Sequence, residues 1–327
     1  MIICRTPFRI SFFGGGTDFP QWYVKEGGGV ISTTIDKYCY INARYLPEFF
    51  KFNYRIRYFK TEQTKTIKQI KHPSFREILK YLDFYKQNIE IVHNADIPAL
   101  SGMGASSSSS VCLLHALNAL KNTFITKKKL SLDALKIEQE ILKETVGSQD
   151  QIAAAFGGFN YIKFNKNNTF EVNPIFKSQN ISKIEDSITL MFTGLQRKAN
   201  IIERNKIKNL KSNSLYLNEM NSITQTALDM VNGNFKIKEF GKLLSDQWSI
   251  KKKLSHKTTN NFIDRLYLDG MKCGAYGAKL LGAGNGGFIM FISNKDVKQK
   301  LLKKFKKFLF VPIKFDKIGS QIVYFSK

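Results

Sequence analysis

Short apolar runs cut by glycine fill the first sixty residues. Arg9-Ile10-Ser11-Phe12-Phe13 runs into Gly14-Gly15-Gly16, and Gly27-Gly28-Gly29 opens Val30-Ile31-Ser32-Thr33-Thr34-Ile35, followed by Tyr38-Cys39-Tyr40-Ile41. β-Branched and aromatic residues between such marks predict strands. Residues 74–87 are spaced as a helix and 89–93 as a short strand. Further helices are predicted over 106–120, 131–145 and 149–156, the last stopped by Gly157-Gly158. A strand is expected at 159–164. The second half repeats the mixed texture, with strands at 188–192 and 288–292. Its helices are expected at 215–231, 237–254 and 261–273, the last leading directly to a glycine loop at 282–287. Apolar residues at 301, 302, 305, 308 and 309 predict one more helix with a lysine face.

The chain has 327 residues, which suggests two domains at roughly 100–200 residues each. The polar turn Asn165-Lys166-Asn167-Asn168 is the expected seam, dividing 1–165 from 166–327. No repeat is visible, and the only low-complexity run is the serine stretch 106–110. No apolar stretch approaches the ~20 residues of a membrane span, and Met1-Ile2-Ile3-Cys4-Arg5 carries no secretory pattern. The four cysteines are scattered without C-x-x-C pairs, which predicts reduced thiols in a cytoplasm. The net charge of +25 is the strongest compositional signal. Only nine of the 51 basic residues are Arg, however, and dispersed Lys mostly solvates a surface. With no nucleic-acid motif present, the charge fits solubility or attraction of a small anion better than nucleic acid.

Four constellations could carry chemistry. Ser101-Gly102-Met103-Gly104-Ala105-Ser106-Ser107-Ser108 leads without a spacer into Val111-Cys112-Leu113-Leu114. Glycine and serine at the start of a buried helix place free N–H groups and a positive dipole end together, an anion cradle or a plain cap. The G-K-[ST] of a Walker loop is absent. Gly282-Ala283-Gly284-Asn285-Gly286-Gly287 formally fits G-x-G-x-x-G, but a strand follows where a Rossmann fold needs a helix, so dinucleotide binding is rejected. On the helix predicted over 131–145, Glu138 has Ala134, Leu135, Ile141 and Leu142 at its i±3 and i±4 positions and should point inward, while Glu140 faces water. An inward acid is a ligand or half of an ion pair. Asp150 opens the following helix, as a dipole partner or a reactive group. Arg9, before Gly14-Gly15-Gly16-Thr17-Asp18, could bind an anion beside hydroxyl ligands, or merely precede a turn.

Taken together, Thr6 to Asp18, Pro98 to Ser108 and Lys279 to Gly287 resemble, in order and separation, the three motifs of the GHMP kinase superfamily. The resemblance implies a two-domain α+β fold. Its N-terminal part is a ribosomal-protein-like mixed sheet with helices and a left-handed β-α-β crossover, and its C-terminal part is ferredoxin-like. Within the superfamily, Gly14-Gly15-Gly16-Thr17-Asp18, Thr34-Ile35-Asp36-Lys37-Tyr38 and Gly147-Ser148-Gln149-Asp150-Gln151 are similar to kinases of D-glycero-α-D-manno-heptose 7-phosphate. A fucokinase- or galactokinase-like enzyme, or a non-catalytic sensor on the same fold, is the alternative.

The resemblance implies ATP and Mg²⁺, and a small sugar phosphate phosphorylated at its anomeric hydroxyl. It implies neither a nucleic-acid nor a membrane partner and leaves a homodimer open. It implies that Asp150 and Arg9 are catalytic, Arg9 steadying Asp150 as an anion, and that Ser106 and Glu138 hold the metal. It further implies that Gly102, Met103, Gly104, Ala105, Ser106, Ser107 and Ser108 hold the nucleotide phosphates, and that Gly15, Gly16, Thr17, Asp18, Gly284, Asn285 and Gly286 bind the acceptor. Arg197 and Lys198, after Thr193-Gly194, are candidates for the acceptor's own phosphate. Ala105 and Asn285 depart from the usual pattern, without loss of a charge.

Overall fold

The β-branched and aromatic stretch before Tyr45 forms two long strands on which the rest of the N-terminal half is laid. A computed structural model describes residues 1–196, 203–204, 207, 209–210 and 212–326. Strand β1 (Ile2–Phe13) leads through α1 (Pro20–Glu26) to β2 (Gly28–Tyr45), then β3 (Tyr54–Arg57), β4 (Thr61–Thr64), α2 (Pro73–Tyr81) and β5 (Ile89–Ala95). Helices α3 (Ala105–Leu120), α4 (Lys127–Leu135) and α5 (Gln149–Phe156) follow, with a π-helical turn at Lys136–Ile141 after α4. Then come β6 (Phe159–Phe164), β7 (Phe170–Pro174), α6 (Ser178–Ser187), β8 (Ile188–Phe192), α7 (Ser214–Asn232), α8 (Ile237–Lys253) and α9 (Asn261–Lys272). The remaining elements are β9 (Gly277–Leu280), β10 (Phe288–Ile292), α10 (Lys295–Lys304), β11 (Phe310–Val311), β12 (Phe315–Asp316) and β13 (Gln321–Phe325).

The larger sheet has nine strands, ordered β13-β1-β2-β5-β3-β4, with β6 and β12 also on β2 and β7 on β6. Strand β2 serves three neighbours on one edge: residues 28–33 pair with β6, residues 34–35 with β12 and residues 39–45 with β5. The β3–β5 pair is parallel, joined through β4 and α2. The smaller sheet is antiparallel in the order β11-β8-β10-β9. In chain order this reads fourth, first, third, second, which is the expected ferredoxin-like arrangement. The seam expected at 165/166 falls in the turn between β6 and β7, which pair with each other. Strands β12 and β13 also return to the nine-stranded sheet, so both halves of the chain build it.

Helix α3 packs on β1 and β2. Val111, Cys112, Leu113, Leu114, Ala116 and Leu117 are all buried, as in a helix enclosed on every side. Phe8, Ile10, Phe12 and Phe13 of β1 join the same core. No helix among the described residues is long and apolar enough to cross a membrane. The four cysteines are free thiols.

Three helix expectations need correction. The one over 74–87 ends at Tyr81, because Asp83 takes a left-handed φ of 54°. The one over 131–145 begins at Lys127, capped by the Thr126 side chain, and unwinds after Ile141 into the irregular segment that carries Gly147. The lysine-rich stretch 301–310 is helical only to Lys304, and Phe310 pairs with Met191 as a strand.

A Cβ on Gly277 of β9 would stand 1.7 Å from the Gly241 carbonyl oxygen of α8. Gly277→Ala is therefore expected to force α8 away from the smaller sheet and to lower stability by roughly 2–3 kcal/mol. The readout is a lower urea midpoint at unchanged slope.

Candidate active site

The buried half of β1 delivers Arg9 to the meeting point of three segments. Its Nε donates to Asp150 Oδ1 at 2.7 Å and one terminal nitrogen donates to Oδ2 at 2.6 Å. The other terminal nitrogen donates to the Gly102 carbonyl at 2.8 Å. The Arg9 side chain is 6% exposed and that of Asp150 23%, so the guanidinium is enclosed and the carboxylate keeps an open face. A buried charge persists only when paired and hydrogen-bonded in this way. Asp150 also sits in the first turn of α5, where the helix dipole favours an anion.

Asp18 closes one side. Its Oδ1 accepts from the Gly16 N–H at 2.8 Å and its Oδ2 from the Gln149 N–H at 3.4 Å. Burial pushes the Asp18 carboxyl above its ordinary range, opposed by the Gly16 N–H and reinforced by the charge of Asp150. A side chain at Gly147 would collide with Asp18, since its Cβ would lie 2.0 Å from Oδ2.

Helix α3 forms the other side. Gly104 caps it in a left-handed conformation, φ 75° and ψ 25°. The N–H groups of its first turn have no partner within the helix and open toward the cavity. Ser106 is exposed there, whereas Ser107 is buried and donates to Glu138 Oε2 at 2.8 Å. Gln151 Nε2 donates to the same oxygen. Glu138 is fully buried and Glu140 exposed, as the helix-face argument required, although the segment is wound as a π-turn. Burial raises the Glu138 carboxyl to about 7, with the Ser110 hydroxyl opposing and Glu144 adding. Its Oε1 has no hydrogen-bond partner.

These groups surround a cavity of about 320 Å³. Of the residues expected from sequence, Arg9, Gly15, Gly16, Asp18, Gly102, Gly104, Ala105, Ser106, Ser107 and Asp150 line it. Others stand behind the wall. Met103 is buried and its carbonyl accepts the Arg9 N–H at 3.1 Å. The Thr17 hydroxyl donates to the Gly14 carbonyl at 2.9 Å, and that of Ser108 to the Pro7 carbonyl at 3.0 Å. Glu138 lies beneath Ser107, so the hydroxyl on its carboxylate is that of Ser107 and not of Ser106. Arg197 and Lys198 lie outside the described residues.

The second glycine loop joins β9 to β10 in an antiparallel hairpin, so a strand precedes it where a helix was expected. That strand, Gly277-Ala278-Lys279-Leu280, is too short and small-sided to show in the pattern. Gly284, Asn285 and Gly286 are absent from the cavity wall and serve the chain itself. A Cβ on Gly284 would meet the Thr258 carbonyl at 2.3 Å, and the Asn285 N–H donates to that same oxygen at 2.6 Å. Gly286 lies against the Leu195 carbonyl. Gly282 and Ala283 alone of this loop reach the cavity. Gly282 touches Gly102 so closely that a Cβ on it would lie 2.5 Å from the Gly102 Cα. The two glycine loops therefore support each other backbone to backbone.

Ser11, Glu144, Gln149, Glu203, Lys251 and Lys279 also line the cavity. Lys251 had a legible signal. It continues the buried stripe Phe240, Leu244 and Trp248 on α8, where a lysine is out of place.

Residues 67–158 match the family described as GHMP kinases N terminal domain. The chain is 32% identical over 319 residues to the D-glycero-alpha-D-manno-heptose 7-phosphate kinase of Campylobacter jejuni, covering 93% of this chain and 92% of that one. It is 25% identical over 331 residues to the galactokinase of Pyrococcus furiosus, covering 90% of each. Among solved structures, a D-glycero-D-manno-heptose 1-phosphate kinase from Bacteroides thetaiotaomicron superposes over 100% of both chains with a TM-score of 0.81 at 23% identity. With its helix start, its ion-paired carboxylate and its match across nearly the whole chain, the protein belongs to the GHMP kinase family and is a phosphotransferase with an alcohol group as acceptor.

Proposed function

We propose that this sugar kinase moves the γ-phosphate of ATP to the anomeric hydroxyl of D-glycero-α-D-manno-heptose 7-phosphate, giving the 1,7-bisphosphate. The observation that carries the reading is the fork of Arg9 on Asp150, opening into the cavity between the start of α3 and the Asp18 turn. The heptose assignment is supported by the relative that matches over most of both chains.

Phosphoryl transfer has a loose transition state, so the protein's work is positioning and charge neutralisation. The first-turn N–H groups of α3 and the hydroxyl of Ser106 hold the nucleotide's phosphate oxygens. Asp18 orients sugar hydroxyls. Arg9 occupies one lone pair on each carboxylate oxygen of Asp150, which fixes the group and leaves a lone pair on each oxygen for the acceptor. The anomeric oxygen forms its bond to the γ-phosphorus as the bond to the β-bridging oxygen breaks. The hydroxyl proton passes to Asp150, and ADP leaves.

The residues present also fit Mg²⁺. Glu138 offers a buried carboxylate oxygen with no other partner, beside the hydroxyl of Ser107, while Ser106 opens on the cavity. One carboxylate with hydroxyl and phosphate oxygens is a donor set this ion accepts, since it keeps most of its ligands as water and phosphate. When bound, the ion would neutralise charge on the phosphate oxygens.

Assaying ATP consumption with the heptose 7-phosphate, fucose, galactose and mevalonate tests the assignment. Turnover is expected with the heptose phosphate, and a preference for any other acceptor would overturn it. Asp150→Asn is expected to lower kcat about 10²–10⁴-fold; near-normal turnover would remove Asp150 from the chemistry. Without divalent cations, Glu138 has a distinct signature. Its folded pKa of about 7 lies above the ordinary 4.5. The protonated group is thus tolerated below pH ~4.5, and stability is lost as pH rises through ~7, by an amount on the order of 3 kcal/mol. Glu138→Gln should flatten that part of the pH profile in urea unfolding.

A further inference from the structure

Two buried lysines of the cavity wall have no part in the chemistry above. Lys279 of β9 is 3% exposed and donates to the Ser11 and Phe12 carbonyls at 3.0 and 2.7 Å. Those carbonyls lie two and three residues beyond Arg9 along β1, toward the glycine turn. At about 3.4 Å per residue that is roughly 7–10 Å of strand. Lys251 of α8 is 7% exposed and donates to the Gly282 carbonyl. Its helix neighbours fix its place. Gln247, four residues before, accepts from the Gly14 N–H at 3.1 Å. Leu254, three residues after, stands 3.6 Å from where Gly16 would carry a Cβ. Positions 247, 251 and 254 share one helix face, so Lys251 overlies the turn between Gly14 and Gly16.

A second observation falls at the same wall. The Ser11 hydroxyl is buried, lines the cavity and has no hydrogen-bond partner. It stands 3.6 Å from the Cβ position of Gly15, and Nε2 of Gln149, whose Oε1 is also unpartnered, stands 3.5 Å from that same Cβ position. Buried polar atoms are rarely left unpaired, and one aimed into a cavity marks a ligand contact.

We infer that Lys251, Lys279 and Ser11 form a subsite for a phosphomonoester carried by the acceptor, remote from the hydroxyl that is phosphorylated. The inference rests on the sugar-phosphate reading given under the proposed function. Two ammonium groups and a hydroxyl suit a dianion approached from several directions. The start of α3 meets Arg9 and Asp150 at Gly104, where a Cβ would lie 3.2 Å from Arg9 Cγ and 3.3 Å from Asp150 Oδ2. Lys279 meets the wall at residues 11 and 12 instead, and Lys251 reaches from the helix face over Gly14–Gly16 to the Gly282 carbonyl, on the side of the cavity that holds Asp18. An acceptor lying from Asp150 to this end would present its far phosphate to them.

Steady-state kinetics on the full chain, with the heptose 7-phosphate and the same heptose lacking its phosphate, tests this. The wild-type protein should prefer the phosphorylated sugar. Lys251→Met should cut that preference in kcat/KM roughly 30-fold, mainly through KM, and Ser11→Ala roughly fivefold. Lys251→Arg, which keeps the charge, should retain most of it. Thermal unfolding of each variant reports whether the fold is kept, and Ser11→Ala carries the test if Lys251→Met does not fold. A preference unchanged in the folded variants overturns the subsite and leaves the acceptor assignment standing. A rise confined to the KM for ATP overturns it by giving Lys251 to the nucleotide. A wild-type protein indifferent to the sugar's phosphate overturns the acceptor assignment, and the subsite with it.

Discussion

The site is organised by one buried ion pair. Arg9 cannot stay enclosed in β1 without an anion beside it, and Asp150 supplies one from the start of α5. The same guanidinium takes the Gly102 carbonyl, so a strand, a helix and the loop before α3 are fixed relative to one another by one side chain. The close contact of Gly102 with Gly282 passes that order on to the hairpin of the smaller sheet. The geometry of the cavity and the junction of the two sheets therefore depend on the same few atoms.

Much of this was legible in the sequence because it follows from local rules. Glu138 was assigned inward from its neighbours at three and four residues' distance, and it is fully buried. The serine-rich entry to an apolar helix marked the start of α3, which lies on the cavity wall. The elements that escaped are those whose pattern is set by distant partners. Strand β9 has four residues, two of them Gly and Ala, and is a strand only because β10 pairs with it. The lysine-rich segment after Lys304 had helical spacing, but Phe310 and Val311 satisfy their backbone against β8 instead. Gly284 and Gly286 stood in a legible glycine loop, yet the pattern could not show that what approaches them is the chain's own backbone. Lys251 was visible as a misplaced charge on an apolar stripe, but only the fold shows which loop that stripe faces.

The wall of the cavity divides its labour by chemistry. At one end it offers backbone N–H groups and a serine hydroxyl, donors that suit an anion without adding net charge. At the other it offers Asp18, held by backbone N–H groups from both the glycine turn and α5. Gly147 lets that acid approach because any side chain there would occupy its space. The +25 net charge acts at longer range, drawing anions toward the whole molecule, and says little about which one is kept.

Strand β1, which carries Arg9, is flanked on its outer side by β13, whose residues come more than three hundred positions later. A ribosome must therefore deliver the chain beyond Phe325 before the strand bearing the guanidinium has both neighbours. Until then a nascent protein leaves the outer edge of β1 at residues 2–5 unpaired, open to chaperones or to a second unfinished chain.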